Sequence, residues 1–263
     1  MGKKMTISAI KKAKGQKRLV MITAYDALFA KLLAPSADMI LVGDSLNMSF
    51  AGKSDTLSAT MDQMIYHTNA VCSGAKDSFI ICDMPFGTYT SKKDALKNSI
   101  KVFQETDADC VKIEGGVDKA NIVKHLTSSG IAVCGHIGLL PQSVRSEGGY
   151  KVKGKTEDEK KRLIKDAKAI EKAGAFCMVI EGVKADVAKE VAEAVNVPVI
   201  GIGAGVDVDG QVLVFSDMLG LFEEFTPKFV KKYMDGASLV KEAVQTYANE
   251  VQNKEFPTLQ HTY

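Results

Sequence analysis

Along this chain of 263 residues, apolar runs repeatedly end on a charged side chain. Asp44 follows the run at 39–42, in Gly43-Asp44-Ser45, and Asp83 follows that at 79–82, in Cys82-Asp83-Met84-Pro85. Lys112 and Glu114 close the run at 110–113, His136 the run at 131–134, and Glu181 the run at 176–180. Any one of these residues reads equally well as a turn or helix-cap residue. That Asp44, Asp83, Glu114 and Glu181 should all be caps and nothing more is a far narrower reading. Carboxylates with no cysteine or paired histidine beside them suit a hard cation, Mg²⁺ or Mn²⁺, rather than zinc. A cation held in this way polarises a carbonyl as a Lewis acid. A separate carboxylate, its pKa raised by burial, then takes a proton from the carbon α to that carbonyl.

For these residues to meet, the elements that carry them must point the same way. Runs at 19–23, 39–42, 79–82, 110–113, 131–134, 176–180, 197–202 and 211–215 are mostly continuous rather than alternating. Strands buried on both faces of a parallel sheet read like this. Helix signals lie between them. Thr60 with Gln63 and Thr156 with Glu159 have the spacing of capping boxes, and Ser91 with Asp94 opens another helix. Val187, Val191 and Ala194 line one helical face, and Val240, Val244, Tyr247 and Val251 mark a long amphipathic helix near the C-terminus. The alternation fits a closed (β/α)8 barrel or an open doubly wound sheet, and the strand count with a length near 250 favours the barrel. No Pro/Ser-rich linker divides the chain, so residues 1–263 are expected to form one catalytic domain. In a barrel the C-terminal strand ends gather at one rim, where the active sites of this fold sit. Lys112 and Glu114, two apart on a strand, project to the same face.

Residues 138–155 form the one long irregular stretch in this reading. A loop of that length inside a compact domain is usually functional or mobile, and Lys151, Lys153 and Lys155 make it either a solvated lid or a contact for an anionic ligand tail. Gly201-Ile202-Gly203-Ala204-Gly205 has the spacing G-x-G-x-G, not the dinucleotide fingerprint, and reads as a tight turn. His67, His125 and His261 read as structural or surface residues. Five cysteines, with no C-x-x-C pair, argue against a zinc site or a disulfide framework. A net charge of +2 excludes a dedicated nucleic-acid binder. No apolar run of membrane-spanning length is present, and the basic first 18 residues lack the apolar core of a signal peptide. A cytoplasmic enzyme with no membrane and no nucleic-acid partner is the expectation. Met1-Gly2 with Thr6 fits the short myristoylation pattern, which recurs by chance.

Several segments carry a resemblance. They include Met21-Ile22-Thr23-Ala24-Tyr25-Asp26, Val42-Gly43-Asp44-Ser45-Leu46, Asp83-Met84-Pro85-Phe86 and Val111-Lys112-Ile113-Glu114-Gly115-Gly116. Gly135-His136-Ile137-Gly138-Leu139, Pro141-Gln142-Ser143, Gly148-Gly149-Tyr150-Lys151-Val152-Lys153-Gly154, the Gly201–Gly205 run, Asp209-Gly210-Gln211 and Pro227-Lys228-Phe229 continue it. With these the chain resembles the 3-methyl-2-oxobutanoate (ketopantoate) hydroxymethyltransferase family from about residue 5 to its end. The resemblance implies a (β/α)8 barrel of the phosphoenolpyruvate/pyruvate superfamily. It implies transfer of a hydroxymethyl group from 5,10-methylenetetrahydrofolate to 3-methyl-2-oxobutanoate, giving 2-dehydropantoate for pantothenate and coenzyme A synthesis. It also implies Mg²⁺ and a large cytoplasmic homo-oligomer, typically a decamer. The family's metal site maps onto Asp44, Asp83 and Glu114. Its keto-acid contacts map onto Asp44, Ser45, Asp83 and Lys112, with His136 nearby, and its base onto Glu181. Asn47, Leu140 and Gly182 depart from the residues usual in the family, and none of these removes a ligand or the base.

Other readings share parts of this pattern. A Mg²⁺-dependent carbon–carbon lyase or mutase of the same superfamily would show the same acidic rim, and activity without folate would favour it. An inactive scaffold barrel would show a decayed rim, whereas here the acids are intact. A nicotinamide- or flavin-dependent oxidoreductase is the weakest of the three.

Overall fold

The structure, a computed structural model, describes residues 4–263, so the Met1-Gly2 pattern lies outside the described residues. Eight parallel strands pair in chain order and close on themselves. They are β1 (Leu19–Thr23), β2 (Met39–Val42), β3 (Phe79–Asp83), β4 (Cys110–Glu114), β5 (Val133–Gly138), β6 (Cys177–Glu181), β7 (Val199–Ile202) and β8 (Gly210–Leu213). β1 pairs with both β2 and β8, which completes the ring. This is the (β/α)8 barrel expected from the sequence. Every residue of β2, β3, β4 and β7 is buried, which is why these strands read as unbroken apolar runs.

Inside the barrel, Met21, Met39, Leu41, Phe79, Ile81, Cys110, Cys134, Cys177, Val179 and Ile200 pack into one core. Ile10, from the helix Ile7–Lys12, joins this core at the end where the strands begin and is fully buried. A side chain of that size contributes about 1.5–3 kcal/mol by leaving water. Lys14 closes the same end, donating to Asp209 Oδ2 at 2.7 Å and to the Ala192 carbonyl at 2.6 Å. The opposite end is thereby left for chemistry.

The helices begin where their caps lie. Thr60 and Gln63 exchange bonds in a complete capping box ahead of Met61–Gly74. Ser91 caps Lys92–Glu105, and Thr156 caps Glu157–Lys172, whose first turn carries Glu157, Asp158 and Glu159 beside the positive end of the helix dipole. All five cysteines are buried and free. Among the described residues no helix is long and apolar enough to cross a membrane.

Two details differ from the sequence reading. β5 starts and ends later than the run at 131–134 and passes through His136 to Gly138. Gly135 hides this continuation, because a side chain there would meet Ile170 Cγ2 at 2.5 Å. The strand needs a glycine where the helix Glu157–Lys172 packs on it. Residues 138–155 are also not the only long irregular stretch, since 50–60 and 219–235 have no long element either. Residues 215–263 form a second compact unit after the one ending at Val214. It holds the short helix Phe215–Met218 and the helix Gly236–Gln252. Val240, Val244, Tyr247 and Val251 leave that second helix with an exposed apolar stripe.

Candidate active site

The charged residues singled out in the sequence all come to the C-terminal ends of neighbouring strands. Asp44 follows β2, Asp83 ends β3, Lys112 and Glu114 lie in β4, His136 lies in β5 and Glu181 ends β6. Asp44, Asp83, Lys112, Glu114 and His136 are each buried to within a few per cent. Glu181 stands slightly further out, its side chain 18% exposed.

The contacts form one chain of atoms. Asp83 Oδ2 accepts from the Asp44 backbone N–H at 3.1 Å, and Asp83 Oδ1 lies 3.1 Å from Lys112 Nζ. Lys112 Nζ lies 3.0 Å from His136 Nδ1. Lysine only donates, so Nδ1 accepts and the imidazole proton sits on Nε2. Nε2 is 3.3 Å from Glu181 Oε2, and Glu114 Oε1 is 3.7 Å from Nδ1. Burial first and the Lys112 charge second hold the His136 pKa well below its ordinary value. The imidazole is therefore neutral, and its approaches to Glu114 and Glu181 are not ion pairs. Ser45 Oγ shares a hydrogen bond of 2.8 Å with Tyr25 OH.

Burial also sets the acids. It lifts Asp44 to about 7, with the Asp83 charge adding to the effect. It lifts Glu181 to about 7 against the pull of Lys112, and it lifts Glu114 well above the carboxylate range. Burial alone would depress Lys112, but Asp83, Glu114 and Asp44 more than offset it and keep the ammonium charged. One lysine thus faces more buried carboxylates than it can neutralise.

That imbalance bears on a metal. Asp83 Oδ1 is buried and accepts no hydrogen bond despite its ion pair with Lys112. The donors are all hard oxygens, and the raised Asp44 shows two carboxylates short of positive charge. Among the described residues no three His, Cys, Asp or Glu side chains converge closely enough to hold a metal ion together. Mg²⁺ does not require three, because it keeps several waters and uses one or two carboxylates. The residues present therefore fit such an ion.

Loops close over the rim. Arg145 donates through Nε and Nη2 to Asp55 Oδ2, at 3.2 and 2.9 Å, and Tyr150 OH approaches Met48 Sδ at 3.7 Å. These contacts join the loop after β5 to the one after β2. The departure at Asn47 belongs to the same loops, since its buried amide donates to the Asp55 carbonyl at 2.8 Å and to Ser58 Oγ at 2.9 Å. Lys153 hydrogen-bonds through its backbone to Gly182 and Lys184, next to Glu181. Its side chain pairs with Glu147, and Lys151 Nζ donates to the Glu147 carbonyl at 2.6 Å. Both lysines are thus engaged within the loop. The Gly201–Gly205 run packs closely: a side chain at Gly205 would meet Ala185 Cβ at 2.4 Å. His67 is structural, its Nδ1 lying 2.6 Å from the Tyr25 carbonyl.

Sequence reasoning gave no role to Gln142 or Tyr89. Gln142 lies in the one-turn helix Pro141–Ser143, and its amide donates to Asp44 Oδ2 at 2.8 Å. Its position in an aperiodic loop carries no signal of burial, and only the folded loop turns it onto the acids.

Fold and rim together define a (β/α)8-barrel enzyme with a buried acid–base site. Solved structures share the fold. Phosphonopyruvate hydrolase superposes with a TM-score of 0.62 at 13% identity, over 97% of this chain and 93% of that one. A 2,3-dimethylmalate lyase of the PEP mutase/isocitrate lyase superfamily does so with 0.60 at 15% identity, over 97% and 90%. The sequence carries the finer relation. The pattern of ketopantoate hydroxymethyltransferases matches residues 4–259. The 3-methyl-2-oxobutanoate hydroxymethyltransferase of Sulfurimonas denitrificans is 79% identical over the whole of both chains. That of Helicobacter pylori is 51% identical over 99% of this chain and 97% of its own. The chain belongs to the ketopantoate hydroxymethyltransferase family and is an enzyme of hydroxymethyl transfer. The lyase or mutase alternative shares only the fold.

Proposed function

We propose that this rim transfers a hydroxymethyl group from 5,10-methylenetetrahydrofolate to 3-methyl-2-oxobutanoate, forming 2-dehydropantoate for pantothenate and coenzyme A synthesis. The observation that carries the mechanism is Glu181, a carboxylate lifted to about 7 by burial at the mouth of the barrel. A base of that pKa is partly free near neutral pH and still draws strongly on a proton.

The keto acid enters as an anion, and Lys112 is the fixed positive charge of the site, held by Asp83 at 3.1 Å. Ser45, anchored by Tyr25, offers a hydroxyl beside it. Asp44 and Asp83 would hold Mg²⁺, with Glu114 as the third acid of the rim, and the ion when bound would supply Lewis-acid polarisation of the 2-keto group. Glu181 removes the proton from C3, and the electron pair of that bond passes into the enolate. His136 is neutral, with its proton on Nε2 3.3 Å from Glu181 Oε2 but without a hydrogen bond to it, so it sets no full charge beside the base. C3 then bonds to the one-carbon unit as that carbon's bond to folate N10 opens, N10 taking the proton that Glu181 removed. Water then bonds to the same carbon as its bond to N5 breaks, giving the hydroxymethyl group, and N5 takes the water proton to release tetrahydrofolate.

Glu181→Gln tests the reading. The variant is expected to bind 3-methyl-2-oxobutanoate as wild type does but to stop exchange of its C3 proton in deuterated water, followed by proton NMR. Exchange at the wild-type rate would remove Glu181 as the base. We propose further that the whole chain serves as one catalytic domain of a cytoplasmic homo-oligomer, a decamer. The exposed stripe of Val240, Val244, Tyr247 and Val251 supports self-association. A monomer in sedimentation would count against it.

A further inference from the structure

Gln142 is 7% exposed, and its side-chain amide and backbone N–H are all engaged. Its Nε2 donates to Asp44 Oδ2 at 2.8 Å and to the Met84 carbonyl at 2.9 Å. Its Oε1 accepts from Tyr89 OH at 2.5 Å, and its backbone N–H donates to Glu114 Oε2 at 3.1 Å. The amide has one workable orientation, because flipping it would set its oxygen against the Asp44 carboxylate and the Met84 carbonyl. One residue of the loop after β5 therefore fixes carboxylates that arise from β2 and β4, and it does so without adding charge.

We propose that Gln142 is a positioning residue for Asp44 and Glu114, aiming their unengaged oxygens into the rim and tying the loop at 143–152 to their state. The inference rests on the cation reading given above. A carboxylate with one oxygen held by a neutral donor keeps the other free and pre-oriented for a cation. Outer hydrogen bonds of this kind commonly set metal affinity by a factor of ten or more. The coupling is reciprocal: if the loop's contacts fix the acids, then a cation on the acids steadies the loop.

The test uses the full-length protein and Mg²⁺ alone, with no substrate. Gln142→Met keeps the side chain's length and the backbone bond to Glu114 but removes both amide donors. Calorimetric titration is expected to show Mg²⁺ affinity about tenfold weaker than wild type. Hydrogen exchange at 143–152 should slow on adding Mg²⁺ in wild type and not in the variant. A merely structural residue would change melting temperature and leave both readouts alone. Tyr89→Phe, which removes the hydroxyl orienting Oε1, should weaken Mg²⁺ binding in the same direction by less. It carries the test if Gln142→Met does not fold. Equal Mg²⁺ affinity in wild type and the folded variant overturns the proposal while leaving the cation reading standing. No Mg²⁺ binding in wild type removes both.

Discussion

At the scale of single residues, the site is governed by Lys112. It is the one buried cation among Asp44, Asp83 and Glu114, and it also pulls down on the Glu181 pKa. Lys112→Met fills the same space with no charge. Asp83 then loses its partner in a dry setting, which costs about 3–5 kcal/mol when one member of a buried pair is removed. Urea unfolding of the variant measures this. Catalysis supplies an independent reading. In wild type, kcat/KM should rise with pH through about 7 as Glu181 loses its proton. Without the Lys112 charge the carboxylate keeps its proton longer, so the rise should move to higher pH. A rise that stays in place would mean that another group is the base. Most of this was legible in the sequence, because Asp44, Asp83, Lys112, Glu114, His136 and Glu181 each follow or interrupt an apolar run. Gln142 and Tyr89 were not legible. They reach the acids only after the loop folds back, and no periodicity records that.

At the scale of elements, the barrel positions the base through its neighbour. β5 ends at Gly138, which pairs in register with Glu181 at the end of β6. Gly138 has φ +97, and a Cβ there would lie 2.4 Å from the Glu181 carbonyl oxygen. Leu139 N–H donates to that same carbonyl at 2.8 Å. Gly138→Ala must therefore strain its own backbone and push the strand that bears Glu181. The expected result is a loss of more than about 1 kcal/mol in stability, with kcat lowered more than the affinity for keto acid. Thermal melting and substrate titration separate the two effects. A variant with wild-type kcat would show that the base tolerates displacement of its strand. Strand type and order were readable from the sequence because buried parallel strands are continuously apolar. Their ends were less readable. Gly135 and Gly138 look like breaks, yet each marks an approach too close for a side chain.

At the scale of the whole molecule, the rim makes stability depend on pH and on the cation together. Asp44 and Glu181 hold their protons to about 7, and Glu114 holds its proton well above the usual range. In the unfolded chain all three would lose protons near pH 4. Between about pH 4 and 7 the folded state binds more protons than the unfolded one, so each of these groups lowers stability as pH rises. His136 acts in the opposite sense below about pH 6.5, since it stays neutral when folded and charges when unfolded. Three carboxylates outweigh one imidazole, although Glu181 contributes less because part of its side chain meets solvent. The cation-free protein, prepared with chelator, is thus expected to be less stable at pH 8 than at pH 5.5, by on the order of a few kcal/mol. Mg²⁺ should offset that loss at pH 8, where Asp44 is ionised, and do little at pH 5.5, where it is protonated. Chemical unfolding at the two pH values, with and without Mg²⁺, measures both parts. A chelated protein more stable at pH 8 would mean that the carboxylates are not crowded around a single lysine. A loss at pH 8 that Mg²⁺ does not reverse would mean that the crowding serves something other than a cation.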